Sequence, residues 1–147
     1  MAQNCQQPMF KALEGRISKS RPIPHWSKAM TEASEFLLTL LHSSTNTHLI
    51  HWTTKSYAEH VALGKYYDEV VELTDSLAEA MMGRYDMTPT FPEMYYAPAK
   101  TGKEELESLK EYVETARKSL PQDSEIQNLT DSIAELIDST LFLLRFP

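Results

Sequence analysis

The chain has 147 residues, 41% hydrophobic and 24% charged, which fits one globular domain large enough to bury its own core. A single cysteine excludes an internal disulfide and is typical of a reducing compartment. No apolar run approaches the ~18 residues of a membrane span, and the start of the chain lacks the pattern of a secretion signal. We therefore expect a cytoplasmic protein with no membrane contact.

The net charge of −7 is unevenly distributed along the chain. Residues 1–28 carry five lysines and arginines against one glutamate, a net +4, so the remaining residues carry −11. We divide the chain into a basic N-terminal arm, 1–26, and a helical domain, 27–147. A basic arm on an acidic body can bind nucleic acid or a protein partner, and the alternative is a solvated, poorly ordered terminus. The candidate DNA-binding residues are Lys11, Arg16, Lys19 and Arg21.

A first helix is predicted from Ser27, because apolar residues recur at helical spacing beyond it. Pro22 and Pro24 block an earlier start, and serine is a favourable N-cap. The middle of this segment, "HSSTNTH", consists of poor helix formers. Since the spacing continues through it to His51 and Trp52, we predict one continuous helix.

A second helix is predicted to begin at about Tyr57, because Ser56 and Glu59 have the spacing of a capping box. We expect it to end near Gly83 or Arg84. Its predicted core stripe is Leu63, Tyr67, Val70, Val71, Leu77, Ala78 and Met81.

The next segment, "YDMTPTFPEMYYAPAK" at 85–100, contains three prolines and four aromatic residues. Connections this long in compact domains usually have a function or cover another part of the structure. We therefore expect a long connection here and not a helix.

Two further helices follow the connection. Thr101 and Glu104 form another capping box, which predicts a third helix that extends to Leu120. Asp123 or Ser124 then caps a fourth. The predicted core stripe of the fourth helix is Ile126, Leu129, Ile133, Leu136, Ile137 and Leu141.

Four helices without a predicted strand indicate an all-α, antiparallel four-helix bundle. Tight turns join the helices of each pair, and the long connection forms a crossover between helices 2 and 3. An internal echo, "LTDSLAE" at 73–79 and "LTDSIAE" at 129–135, gives the second and fourth helices equivalent places.

Two histidines and two carboxylates are the candidate metal ligands. His51 and His60 flank the predicted turn between the first two helices, while Asp75 and Glu79 lie one helical turn apart, on one face. His60 is roughly 22 Å from Asp75 along the axis at ~1.5 Å per residue, so one subunit cannot bring all of them to one ion. A shared metal requires two copies of the second helix, packed antiparallel about a two-fold axis. This ligand set suits iron, zinc or manganese, and not calcium.

The same residues carry a resemblance to a known family. The matching positions are "HW" at 51–52, Tyr57, His60, Leu63, Tyr67, Asp75 and "LAE" ending at Glu79. This pattern, within residues 36–84, resembles the Dps family of ferritin-like mini-ferritins, the DNA-binding proteins from starved cells. The resemblance implies a ferritin-like bundle and a ferroxidase site shared across a subunit two-fold. The implied ligands are His51, His60, Asp75 and Glu79, and the implied assembly is a dimer-based shell, a dodecamer as in the family.

Two functions remain open at this point. The first is an iron-oxidising mini-ferritin that stores ferric mineral and protects DNA. The second is a non-enzymatic ferritin-like bundle, such as a phage structural or accessory protein, located in the host cytoplasm or the virion. The turn "TTKSYAE" is about three residues shorter than is usual in the resembled family, and this departure favours the second function.

Overall fold

The computed structural model describes residues 25–147, so the four candidate DNA-binding residues of the arm lie outside the described residues. The described chain contains four α-helices and no strand, which confirms the predicted all-α class. None of these helices is long and apolar enough to cross a bilayer.

The first helix, α1, spans His25–Thr53 and begins two residues before the predicted cap at Ser27. It is continuous through its polar middle, as predicted. Thr47 Oγ1 donates to Ser43 O at 2.7 Å, and Ser43 Oγ lies 2.8 Å from the hydroxyl of the buried Tyr66. Because these polar groups are bonded within and between helices, tertiary contacts outweigh the poor helix propensity of the segment.

The second helix, α2, spans Tyr57–Tyr85. Its predicted start is confirmed, because Ser56 Oγ accepts the Glu59 N–H at 3.2 Å. Tyr66 occupies the core in place of the predicted Tyr67, which is only partly buried. Burial raises the pKa of the Tyr66 hydroxyl, which stays neutral and hydrogen-bonded. The buried residues of α2 are Ala62, Leu63, Tyr66, Val70, Thr74, Leu77 and Met81.

The connection 86–101 leaves the end of α2 and finishes beside its start, where Gly102 N–H donates to Glu59 Oε1 at 2.8 Å. On the way it contacts α1, because Thr90 N–H donates to Ser34 Oγ at 3.2 Å. A helix the length of α2 spans about 44 Å, and the connection reaches about 53 Å when fully extended. The chain is therefore long enough to run the whole length of α2, and it follows α1 in doing so.

The third and fourth helices, α3 and α4, span Gly102–Ala116 and Ser124–Leu143. The predicted cap of α3 is confirmed, since Thr101 Oγ1 accepts the Glu104 N–H at 3.2 Å. The helix ends four residues before the predicted Leu120, and the chain continues there as turns.

Each helix packs against two others, with α1 and α4 both lying against α2 and α3. The start of α4 lies at the end of α2, where Arg84 pairs with Asp123 and, at 2.9 Å, with Glu125. Neighbouring helices therefore run antiparallel. The largest fully buried side chains are Tyr66, Phe36, Leu40, Leu63, Leu77, Met81, Leu106, Ile126, Ile133, Ile137, Val70 and Val113.

The close approach of α3 to α2 predicts that Gly102→Ala destabilises the fold. A Cβ at Gly102 would lie 2.8 Å from both Cδ atoms of Leu63, a core residue. Overpacking of this kind typically costs about 1–3 kcal/mol, to be measured by urea unfolding followed by circular dichroism.

Gly83→Ala is the matched control, because a Cβ there meets no atom within 4 Å. An exposed helical alanine in place of glycine should stabilise by about 0.5–1 kcal/mol. Equal unfolding midpoints for the two variants would show that α3 does not pack this closely on α2.

Candidate metal centre

The turn between α1 and α2 contains only Thr54, Lys55 and Ser56. Thr54 Oγ1 accepts the Ser56 N–H at 3.1 Å and donates to Glu59 Oε2. The other oxygen of Glu59 accepts the Gly102 N–H. One carboxylate therefore fixes both the turn and the start of α3.

This short turn brings His51 and His60 into direct contact. Their rings stack with centroids 3.8 Å apart and planes 17° apart. His51 Nδ1 lies 2.7 Å from the carbonyl oxygen of His60, and His60 Nδ1 lies 3.0 Å from the carbonyl oxygen of His51. Each ring thus bonds to the backbone of the other residue.

The reciprocal bonds determine which ring nitrogens are available. A carbonyl oxygen only accepts, so each Nδ1 carries the hydrogen and donates it. In the neutral imidazole the lone pair is then on Nε2. Metal-binding histidines commonly use this arrangement, in which one ring nitrogen donates to a carbonyl and the other binds the metal. His51 is partly exposed and His60 is exposed, so both rings are accessible from solvent.

Three more rings hold the pair in place, and we call the five together the ring cluster: His48, His51, Trp52, His60 and Tyr67. Tyr67 stacks on His48 with centroids 4.0 Å apart and meets His51 edge-on at 5.4 Å. Trp52 packs on His48 at 4.6 Å and remains 67% exposed. These contacts restrict rotation of His51, and they explain why Tyr67 faces α1 instead of the core.

Gly64 makes room for the histidine pair. A Cβ at this position would lie 3.3 Å from His51 Cε1. Because Gly64 is four residues after His60, its missing side chain leaves the His60 carbonyl open to a second hydrogen bond. Glycine inside a helix costs about 1 kcal/mol relative to alanine, so its presence mid-helix was a signal in the sequence that another group approaches closely.

The candidate acids lie apart from the histidines. Asp75 and Glu79 are exposed on α2, and neither side chain forms a hydrogen bond or ion pair with another described residue. The repeated segment on α4, 129–135, differs in this respect, because its aspartate, Asp131, forms an ion pair with Arg117 at 2.6 Å. Among residues 25–147, no group of three or more histidine, cysteine or acidic side chains could hold a metal. The structure joins the histidines and leaves both carboxylates in solvent.

The carbonyl contacts predict an unusual tautomer for both histidines. Long-range proton–nitrogen NMR at neutral pH should find the hydrogen on Nδ1 of His51 and His60, whereas free histidine favours Nε2. The variants His51→Gln and His60→Gln assign the signals. A hydrogen on Nε2 of either neutral ring would contradict the reciprocal bonds.

Comparison with known proteins places the chain in a family. No curated protein and no solved structure matches it. A family model described as "Family of unknown function (DUF5856)" matches residues 51–144, well over half of the chain. The matched region begins at His51 and includes His60, Asp75 and Glu79. The chain therefore belongs to this family of unknown function, DUF5856.

Proposed function

We propose that this protein is an iron-binding and iron-oxidising mini-ferritin, with a site shared between two copies. The observation that carries the proposal is the histidine pair, whose Nδ1 atoms are both occupied and whose Nε2 atoms are both left for a metal. Fe(II) is the substrate and the cargo, and it is stored as ferric mineral after oxidation by peroxide or oxygen.

The helix arrangement supports the proposal. Neighbouring helices are antiparallel, and one long connection runs from the end of α2 to its start. One long crossover between two antiparallel hairpins is the topology of ferritin-like bundles. In such bundles the metal ligands project from facing helices, as the resemblance to Dps implies for this chain.

A second copy would complete the site. Two imidazoles are fewer ligands than a transition metal requires, and the nearest candidate acid of the same chain, Asp75, is roughly 22 Å along α2 from His60. Two α2 helices packed antiparallel about a two-fold axis would place His60 of one copy opposite Asp75 and Glu79 of the other. Each dimer then holds two equivalent sites.

The outer face of α2 has the charge pattern that such packing requires. Its first half carries Lys65 beside the histidines, and its second half carries Glu72 with the two candidate acids. If His60 lies opposite Asp75 and Glu79 of the second copy, the two-fold axis passes near Asp68, midway between them along α2. Lys65 and Glu72 are about equally far from that point on either side, so Lys65 faces Glu72 of the second copy. Lys65 and Glu72 are therefore the pair of opposite charges along the contact, whereas the acidic residues Asp68 and Glu69 approach the same residues of the second copy.

Apolar side chains on the same side also support an interface. Tyr57 is 82% exposed and Val61 is 51% exposed, and both lie on the face of α2 that carries Asp75 and Glu79. Trp52, near the end of α1, is exposed as well. Exposed aromatic and apolar residues clustered in this way are typical of protein interfaces.

The chemistry follows from the ligand types. Imidazole nitrogens and carboxylate oxygens bind Fe(II) and leave positions open for the oxidant. Two Fe(II) ions supply the two electrons that reduce one peroxide, and the carboxylates of Asp75 and Glu79 offset the added positive charge on the iron. Zinc or manganese would fit the same donors.

DNA protection remains a prediction for the basic arm. Such binding would neutralise phosphates and weaken with salt. The candidate residues Lys11, Arg16, Lys19 and Arg21 lie outside the described residues.

One observation favours the second function, a bundle without catalysis. Each histidine ring donates to the backbone carbonyl of the other histidine without any metal. The pair therefore also holds α1 and α2 together. In that case replacing His51 or His60 lowers the stability of the hairpin, and neither the parent nor the variants catalyse the oxidation of Fe(II).

The iron proposal predicts that Asp75→Asn with Glu79→Gln abolishes ferroxidase activity. Fe(II) is added anaerobically, peroxide follows, and ferric absorbance gives the rate, which should fall at least about tenfold, a loss seen even for outer-shell partners of metal ligands. Asp131→Asn with Glu135→Gln, the same change in the echo on α4, should keep the parent rate. Equal rates for both double variants would reject the site.

Mixing two inactive variants tests whether the site is shared. His51→Ala with His60→Ala in one chain and Asp75→Asn with Glu79→Gln in the other leave one complete site in each mixed dimer. Random co-assembly should restore about a quarter of the parent activity. If the mixture stays inactive while parent dimers oxidise iron, the ligands are not shared between copies.

The charge pattern also predicts how dimer stability responds to mutation. Lys65→Glu should weaken the dimer, and Asp68→Asn should strengthen it by removing like charges near the axis. Analytical ultracentrifugation measures the dissociation constant. Lys103→Glu on α3 is the control, because Lys103 and Lys65 each pair with a glutamate four residues later. A monomer at all concentrations, or equal effects of both lysine changes, would exclude this interface.

A further inference from the structure

A cleft on the opposite side of α1 has no part in the proposed iron chemistry. It encloses about 310 Å³ between α1 and α3, beneath residues 96–99 of the long connection. Its walls include Thr39, His42, Asn46, Tyr96, Glu105 and Tyr112. None of these residues belongs to the ring cluster or to the candidate acids.

The walls of the cleft are held by specific contacts. Glu105 accepts the Asn46 side-chain N–H at Oε1, 2.9 Å, and the Ala99 N–H at Oε2, 2.8 Å. This carboxylate thereby joins α1, α3 and the connection. Tyr112 stacks on the buried Phe36 with centroids 5.9 Å apart. The cleft is consequently formed before any ligand arrives, as is usual for small-molecule sites.

The charge in the cleft is negative. Glu105 is the only charged side chain among the lining residues, and no ion pair between described residues includes it. Its hydrogen-bond donors are neutral, so they leave its charge uncompensated. Burial raises the pKa of the Tyr112 hydroxyl, the hydrogen bond with Thr39 partly offsets that rise, and the nearby carboxylate of Glu35 adds to it.

One nitrogen in the cleft lacks a partner. His42 Nδ1 is buried and has no hydrogen-bond partner among the described residues. Buried polar atoms are nearly always bonded, so an unbonded nitrogen in a residue that lines a cavity is an unusual feature of this part of the structure. The His42 ring meets Tyr96 edge-on, with centroids 5.8 Å apart, which fixes its position.

We propose that this cleft binds a small organic cation, an alkylammonium. The Glu105 carboxylate supplies the opposite charge, and the rings of Tyr96 and Tyr112 supply the aromatic surface that attracts ammonium groups. No lysine or arginine lines the cleft to compete for the carboxylate.

The effect of ligand charge is tested by comparing the binding of choline with that of its neutral isostere, 3,3-dimethylbutan-1-ol. Butylammonium is a third probe and tests whether a primary ammonium binds. The full chain is titrated by proton–nitrogen NMR, and the amides of Ala97, Ala99 and Ser108 should shift with at least one ammonium probe. We expect the neutral isostere to bind at least tenfold more weakly than choline. No shifts with either ammonium at 10 mM, or equal binding of choline and its isostere, would overturn the proposal.

Two variants test the location. Glu105→Gln should lower affinity at least tenfold, whereas Glu104→Gln, the exposed neighbour, should leave it unchanged. Glu105→Gln could also disturb the connection, because Glu105 accepts a hydrogen bond from its backbone. Ser108→Lys is therefore a second test: it places a cation at the exposed rim of the cleft and leaves the hydrogen bonds of Glu105 intact. If Ser108→Lys binds the probes as the parent does, the cleft is not the site. The result is independent of iron oxidation, because the two sites share no residue.

Discussion

The three-residue turn between α1 and α2 is the constraint on which the rest of the structure depends. Because only three residues join the two helices, the last turn of α1 lies directly against the first turns of α2. The His51 carbonyl is among the last of α1 and has no partner within its own helix. His60 Nδ1 donates a hydrogen bond to this carbonyl and so caps the helix. The space left by Gly64 lets His51 Nδ1 donate in turn to the carbonyl of His60, inside α2. The histidine contact is therefore a helix cap, and in the proposed site it would also leave the two Nε2 nitrogens for a metal.

Glu59 transmits that constraint to the rest of the bundle. Its carboxylate lies at the start of both α2 and α3, where negative charge is favourable because of the exposed N–H groups and the helix dipoles. Through Thr54 it fixes the turn, and through Gly102 it fixes where the long connection finishes. The start of α3 is consequently held by the same residue that holds the turn between α1 and α2.

Local signals in the sequence predicted the helix starts well and the side-chain contacts less well. The caps at Ser56 and Thr101 act between neighbouring residues, so spacing alone identified them. The choice between Tyr66 and Tyr67 for the core was missed, because both fit the helical period within one residue. What decides it is Ser43 on α1, which offers the buried hydroxyl a partner that local periodicity does not show.

The candidate site was predicted only in part, for the same reason. Residue types and spacing identified the two histidines and the two acids. They did not show that the shorter turn would stack the rings, nor that His48 and Tyr67 would support them, since these contacts join residues of different helices. The course of the connection over the α1–α3 groove was likewise beyond the sequence, because it depends on bonds from Ser34 and Glu105 to its backbone.

The two copies of the echoed heptapeptide show how context separates structural acids from candidate ligands. Asp131 faces Arg117 of α3 and forms an ion pair, so its charge is used within the bundle. Asp75 lies on a face of α2 with no cationic neighbour bonded to it, and its charge faces solvent. A single chain gains nothing in stability from an unpaired acid there, whereas a second copy that brings His60 opposite it would give that charge a metal to bind. The two segments differ only at Leu77 and Ile133, so the contrast lies in their surroundings: Asp131 is paired within the bundle, whereas Asp75 is left available to the second copy that we propose.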